Sequence, residues 1–308
     1  MTATQKPFKM PPTHEKILAA LNRYYVMHAK QINRLIFGNK SEGRMYGLCL
    51  ELATYGYTVQ EDVGRSKRGG NHYTANMLSG KGRLFLKRRG YEVAPRVRRT
   101  ESPDSNPFFL HTFAVNEVLI RAEQLAKQHE EISVDSLLHE HTVKRDYGLR
   151  VSIPPNNRTY TARIDGFVQL AVNDHASFRH HAFALEVDRG TTLDKNDFKK
   201  KIYGLIMAKR LKLFDQTFGA PMQVMITTPD NKRMNTVMSW TSEALVTMDA
   251  DPPESARFFF TDQPVNDELS AEDLFLRPLW AQFDTDERVP LFALAKTPAR
   301  QQVSRLSN

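Results

Sequence analysis

The sequence predicts a two-part α/β (α+β) protein: a small helix-turn-helix unit with a β-hairpin, then a larger domain of helices around a central sheet. Three observations carry this. The first hundred residues hold three short apolar-faced helices with tight joints, then two strand-like runs. A segment with three prolines follows, PRVRRTESPDSNPFF, and reads as a linker. Beyond it, helices alternate with nearly all-apolar strands, the order of an α/β sandwich. The expected domains are 1–95 and 110–300, with the linker at 96–109.

In the first unit, Thr13 is expected to cap a helix over residues 14–25, with Ile17, Leu18 and Leu21 on one face. A second helix, 28–37, turns Ile32, Leu35 and Ile36 inward, and Gly38-Asn39 breaks it. Ser41 is expected to cap a third, 42–55, with an apolar face of Met45, Leu48, Cys49 and Leu52. Gly56 sits where a left-handed C-cap is needed. YTVQEDV and HYTANML then form a hairpin with a basic, Gly-rich tip, RSKRGGN, and SGKGRLFLKRRG a short helix.

A helix-turn-helix followed by such a hairpin resembles a winged helix. That resemblance implies that the third helix enters the major groove by its N-terminal turns, presenting Ser41, Arg44 and Tyr46. Arg65, Lys67 and Arg68 of the hairpin would lie along phosphates, where they position without specifying. Cys49 falls on the inward face and reads as a small core residue.

Charge agrees with a polyanionic partner. The chain carries +8 in all, but residues 65–99 hold eleven Lys or Arg against one acid, Glu92. That segment therefore carries +10 and the rest about −2, so the excess is local. No run of about 18 apolar residues exists, which argues against a membrane span. The first residues lack the apolar core of a secretory signal, and the cytoplasm is the expected compartment. One cysteine excludes an internal disulfide framework and a cysteine-rich zinc site.

The second domain is expected to open with a helix over 110–129 and a strand over 137–143. A loop or hairpin turns at Pro-Pro-Asn-Asn, and strands follow at 161–172 and 180–188. A long helix over 193–214 and strands at 221–229 and 256–262 complete it. Asp165 lies within one apolar strand, and Glu186 and Asp188 end the next. Carboxylates there are costly unless partnered. Side chains at 186 and 188 share a face of a strand, and Asp165 on a neighbouring strand would complete a three-carboxylate cluster. Oxygen ligands of this kind suit Mg²⁺ or Mn²⁺, which would polarise a phosphate and generate hydroxide from water.

On the helix that follows, Phe198, Ile202, Leu205, Ile206, Lys209 and Leu213 define a packed face. Lys199 lies beside that face, Lys201 on its other edge, Lys200 points away, and Lys195 sits a turn earlier. His180-His181 and His139-x-His141 read as surface residues, and Asp146, Asp194 and Asp197 as loop or cap residues.

RIDG and LEVD, separated by a hairpin, resemble the PD-(D/E)XK fold of restriction endonucleases. Ile164 stands where that family often has Pro, and Asp188 where it usually has the catalytic Lys. Several of its branches move the lysine to the following helix, here DKNDFKKKIYGL. The longer series HTFAVNEVL, RIDG, LEVDRGT, a Lys-and-Tyr helix, ITTP, FFFTD and PLW resembles the replication-relaxation family of plasmid and mobile-element proteins. It is also similar to MobC-type relaxases.

These resemblances imply a Mg²⁺-dependent DNA-nicking endonuclease, a relaxase. Its substrate would be double-stranded plasmid DNA at an origin of transfer or replication, with other mobilisation or replication proteins as further partners. They imply Asp165, Glu186 and Asp188 as metal ligands, and Lys199 with Tyr203 as the helix pair of the catalytic site. His111 and Asn116 match a helix motif without an assigned role. The alternative is a non-enzymatic DNA-binding accessory factor on an inactive nuclease scaffold. The intact acidic trio favours the enzyme; the missing lysine after Glu186 favours the alternative.

Overall fold

A computed structural model describes residues 8–65, 72–94, 105–146, 150–153, 158–173, 178–192, 194–266, 268–283 and 285–294. It is a mixed α/β structure. The first unit runs α1 (Pro12–Tyr24), β1 (Val26–Met27), α2 (Ala29–Phe37), α3 (Glu42–Thr54), β2 (Thr58–Arg65), β3 (His72–Leu78) and α4 (Gly80–Arg88). Its three strands form an antiparallel sheet in the order β1-β3-β2.

Ile17, Leu18 and Leu21 are buried on α1, as their spacing predicts, with Tyr24 one turn on. The start of α1 differs from expectation. Pro11 holds the cap position and Pro12 the first helical position, so Thr13 lies inside the helix. Proline is suited there, because its missing N–H is one that the helix would leave unsatisfied. Ser41 stands at the N-cap of α3 but makes no side-chain cap bond. Gly56 takes φ 74 and closes α3 through its N–H to Ala53 O at 2.9 Å. Gly82 lets α4 approach the chain at Tyr57, where a Cβ would fall 2.2 Å from the Tyr57 carbonyl oxygen. Cys49 is buried in the core, and that burial pushes its thiol up to about 12.

The second unit begins with α5 (Ser105–Gln128), then β4 (Ile132–His139), α6 (Glu140–Asp146), β5 (Arg150–Ile153), β6 (Arg158–Thr161), β7 (Gly166–Asn173) and β8 (Phe178–Val187). It continues with α7 (Lys195–Arg210), α8 (Leu213–Phe218), β9 (Met222–Thr227), α9 (Asn231–Thr247), α10 (Pro252–Ser255), β10 (Phe258–Thr261), α11 (Ala271–Phe275), β11 (Trp280–Gln282) and β12 (Thr285–Val289). Seven strands form one sheet in the order β12-β11-β10-β9-β8-β7-β4; β5 and β6 pair apart from it. The β8–β9 and β9–β10 pairs are parallel. Both faces are covered, α5 and α11 on one and α7 and α9 on the other, so β7 is buried along almost its whole length. Among the described residues, no helix is long and apolar enough to cross a membrane.

Several boundaries differ from the sequence reading. The expected strand 137–143 is β4 at Ile132–His139 followed by α6, because β4 is an edge strand whose outward Ser133 and Asp135 dilute its apolar signal. The long helix stops at Arg210, and Lys212 takes φ 53 before α8. α9 was not foreseen. α5 starts inside the segment read as linker, whose residues 96–104 lie outside the described residues.

The two units share one core. Ile17, Leu18 and Ile32 belong to the same apolar cluster as Val115, Val118 and Leu119 of α5 and Val168 of β7. A buried polar seam lies across this junction. Glu117 of α5 pairs with Arg34 of α2 and accepts from Gln31 Nε2 at 2.9 Å, and Gln31 Nε2 also donates to Phe113 O at 2.8 Å. Glu117→Ala removes the carboxylate paired with the buried Arg34 and is expected to cost about 3–5 kcal/mol. Urea unfolding of the full chain at neutral pH checks this; a loss under about 1 kcal/mol, the size of an exposed pair, contradicts it.

Candidate active site

Strand register builds the site. His139 of β4 is paired with Gly166 of β7, and Gly166 with Leu185 of β8. The next row therefore brings Glu140, Asp165 and Glu186 to one end of three adjacent strands. Asp165 is locked there by two bonds: its N–H donates to Leu185 O at 2.8 Å, and its Oδ2 accepts from the Val187 N–H at 2.8 Å. By alternation, Asp165 shares the face of Phe167 and Glu186 that of Ala184, which is the side covered by α7.

All three carboxylates are buried, so they require compensating charge. Lys201 of α7 forms an ion pair with Glu186 and lies 3.4 Å from Asp165 Oδ1. From α5, His111 Nε2 approaches the same Asp165 oxygen at 3.5 Å. His111, Glu140 and Asp165 each offer a ligand atom, all within 4.8 Å of one another. One imidazole and two carboxylates suit a divalent cation that keeps open positions for water or a phosphate oxygen.

The two acids at the centre divide electrostatically. Burial would raise Asp165, but Lys201, His111 and the Val187 N–H outweigh it and hold the carboxyl well below the usual range. Burial and then the Asp165 charge push Glu186 upward against Lys201. Burial would lower Lys201, yet the two carboxylates hold its ammonium above the ordinary lysine range. The same contest keeps His111 above its ordinary value, with Asp165 outweighing burial.

Asp165 and Glu186 thus meet as expected, and Asp188 does not join them. Asp188 keeps the face that alternation gives it, since its N–H still bonds Thr227 O at 2.9 Å and its side chain meets α9 on the α7 side of the sheet, but its carboxylate is taken there by another partner before the chain turns at Gly190, φ 75. The Asp188 side chain, 1% exposed, takes a fork from Arg233 of α9, with Nη2 at 2.6 Å and Nε at 3.2 Å, and the Gly190 N–H at 2.5 Å. Arg233 lies 4.8 Å over the Trp240 ring. Lys199 is likewise displaced from its expected role. It lies 3.5 Å from Glu243 of α9, which also takes Lys195 at 2.6 Å, while Lys201 on the opposite edge enters the cluster. Tyr203 is partly buried and packs against the apolar cluster on the α7 side of the sheet.

Ser41, Arg44 and Tyr46 stand on the accessible N-terminal turns of α3, with Arg44 5.8 Å over the Phe37 ring. The Arg65 side chain and all of Lys67 and Arg68 lie outside the described residues. His180 is exposed and bonds Asp135 at 2.7 Å. His181, partly buried, stacks on Phe292 at 4.7 Å, and His139, 2% exposed, is not a surface residue. Sequence reasoning missed Glu140 and Lys201 as site residues. The signal for Glu140 was the β4 register, hidden by the misplaced strand. The signal for Lys201 was α9, which covers the other edge of α7.

The chain is thus a mixed α/β protein with a cluster of buried charges at one sheet end. Residues 18–204, well over half of it, match the replication-relaxation family, and the chain belongs to that family. Membership associates it with replication or mobilisation of DNA. No curated protein and no solved structure matches it.

Asp188 is expected to act through Arg233. Asp188→Ala and Arg233→Ala should each destabilise by roughly 3 kcal/mol, and the double variant should cost much less than their sum. Additive losses in denaturant melts contradict the pairing.

Proposed function

We propose that the protein binds double-stranded DNA at an origin region and nicks one strand there with a divalent cation, Mg²⁺ or Mn²⁺. The observation that carries this is Lys201, a lysine enclosed at a sheet end with Asp165 and Glu186. A fixed ammonium beside buried carboxylates is what phosphodiester cleavage needs, because charge builds on the phosphate oxygens in the transition state. His111, Glu140 and Asp165 would hold the cation. When bound, it supplies Lewis acidity toward a phosphate oxygen and toward water. Lys201 Nζ stabilises the charge on the scissile phosphate. Glu186, raised by burial, accepts a proton at a carboxylate oxygen from the attacking water, whose oxygen bonds the phosphorus as one P–O bond of the strand breaks and the leaving oxygen takes a proton from solvent.

The order α1, β1, α2, α3, β2, β3 supports a winged-helix reading of the first unit, with Ser41, Arg44 and Tyr46 toward the major groove. A second reading, a DNA-binding accessory factor without catalysis, is favoured by one observation. Lys201 and the Val187 N–H already engage Asp165 and Glu186.

Supercoiled plasmid carrying the native origin separates the two. The full chain is expected to nick it with Mg²⁺ or Mn²⁺. Lys201→Ala should lower the rate about 100-fold or more with DNA affinity retained, and Lys199→Ala should nick near the wild-type rate. Normal nicking by Lys201→Ala refutes the assignment. Origin binding without nicking under either cation establishes the second reading.

The basic hairpin has its own test. Replacing Arg65, Lys67 and Arg68 together by Ala should weaken binding to all sequences alike. It should also flatten the salt dependence by roughly 0.9 log units per lost phosphate contact. Loss confined to one sequence places them on base edges instead.

A further inference from the structure

Tyr25 joins the two units at an unusual backbone. It follows α1 and precedes β1 at φ 64, ψ −56, a left-handed conformation that costs a bulky residue about 1–3 kcal/mol. The surroundings impose it. Asn116 of α5, fully buried, donates from Nδ2 to Tyr24 O at 3.2 Å and to Val26 O at 2.7 Å, gripping the carbonyls on both sides.

The turn sends the Tyr25 ring to the end of the second sheet. The ring lies 5.1 Å from His139 and 5.0 Å from His141, centroid to centroid, and those imidazoles stack on each other at 5.1 Å. The Tyr25 hydroxyl is hydrogen-bonded to Thr142 Oγ1 at 2.9 Å. Between the two histidines in sequence stands Glu140, whose carboxylate is grouped with His111 and Asp165. On its other side Tyr25 abuts β1. Val26 and Met27 pair with Met77 and Asn76 of β3, the return strand of the basic hairpin, and Asn76 Nδ2 donates to Met27 O at 3.1 Å. Contacts therefore run without a break from the hairpin through β1 and Tyr25 to the segment that carries Glu140.

We infer that Tyr25 is a positioning residue that couples DNA engagement by the hairpin unit to the placement of Glu140, and so to cation affinity. The inference rests on the proposed cation site. A strained turn clamped from both sides has a defined alternative, in which φ relaxes and the ring leaves the histidines. DNA on the hairpin and a cation at Glu140 each favour the clamped state, so each tightens the other by the same factor.

Mn²⁺ binding to the full chain, followed by electron paramagnetic resonance with and without an origin duplex, tests this. The duplex should tighten Mn²⁺ binding by about 5–150-fold, and Mn²⁺ should tighten duplex binding equally. Tyr25→Leu, which keeps bulk but removes the aromatic ring, should bring that ratio to about 1. Tyr25→Phe should restore most of it. Thr142→Val, which like Tyr25→Phe removes only the hydroxyl bond, should keep most of it; His141→Leu, at a partly exposed position, removes the ring partner of Tyr25, should lower the ratio and decides the matter if Tyr25→Leu does not fold. Equal Mn²⁺ affinity with and without duplex in the wild type overturns the coupling and leaves the site reading standing. An unchanged ratio in the two Leu variants overturns the role of Tyr25. No Mn²⁺ binding under either condition overturns both the cation site and the inference.

Discussion

Helix α5 has to satisfy two neighbours at once, and the rest of the structure follows from how it does so. Its apolar stripe, with Val115, Val118, Leu119 and Leu125, enters a core that continues into both units. That burial supplies stability but little direction, since apolar contact does not specify rotation. Direction comes from the polar groups on the same helix. Glu117 must meet Arg34 and Gln31, and Asn116 must meet the carbonyls of Tyr24 and Val26, because a buried polar group left unsatisfied costs about 1–3 kcal/mol. These demands set the rotation of α5, and rotation sets where its first turns place His111. A junction that looks like packing between units thereby sets one wall of the charged site.

Within that site, no member is stable alone. Asp165, Glu186 and Glu140 are brought into one row by the hydrogen-bonding register of three strands, whatever their mutual repulsion. The sheet thus forces like charges together, and α7 and α5 answer with Lys201 and His111. The upward shift of Glu186 beside the downward shift of Asp165 reflects their unequal supply of donors. Asp165 has the Val187 N–H and His111 in addition to Lys201; Glu186 faces burial and the Asp165 charge with Lys201 as its main relief.

The parts of this arrangement that were legible in the sequence are those set by local pattern. The apolar stripe of α1, the left-handed closure at Gly56 and the packed face of α7 from Phe198 to Ile206 follow from spacing and residue type, and the structure reproduces them; Lys209 and Leu213, expected on that face, are left off it. Asp165 and Glu186 were legible because charge at the end of an apolar strand stands out. What failed depended on neighbours remote in sequence. The parity that set Asp188 on the face of Glu186 holds, but a partner 45 residues on, Arg233, takes its carboxylate. The choice of Lys199 over Lys201 required knowing which edge of α7 is covered, and α9 begins beyond Thr227 and Thr228 in a stretch with little apolar contrast. Glu140 was invisible while β4 was read five residues late.

The exchange between Asp188 and Lys201 explains how this chain departs from a strand-borne lysine without losing the charge balance of its sheet end. A cation two residues after Glu186 would sit at the strand terminus. Here that position is an acid, which would add a fourth negative charge if it turned inward. Instead the chain bends at Gly190, and Asp188 is neutralised by Arg233, whose guanidinium is held on Trp240. The positive charge the row requires arrives from α7. Every group that builds the row and its link to the first unit, from Tyr25 and His111 to Lys201, falls within the span matched to the family. Arg233 and Glu243, which pair with Asp188 and Lys199, lie outside. The helix that carries both therefore does more than cover the sheet: it decides which acid and which lysine are left to face one another.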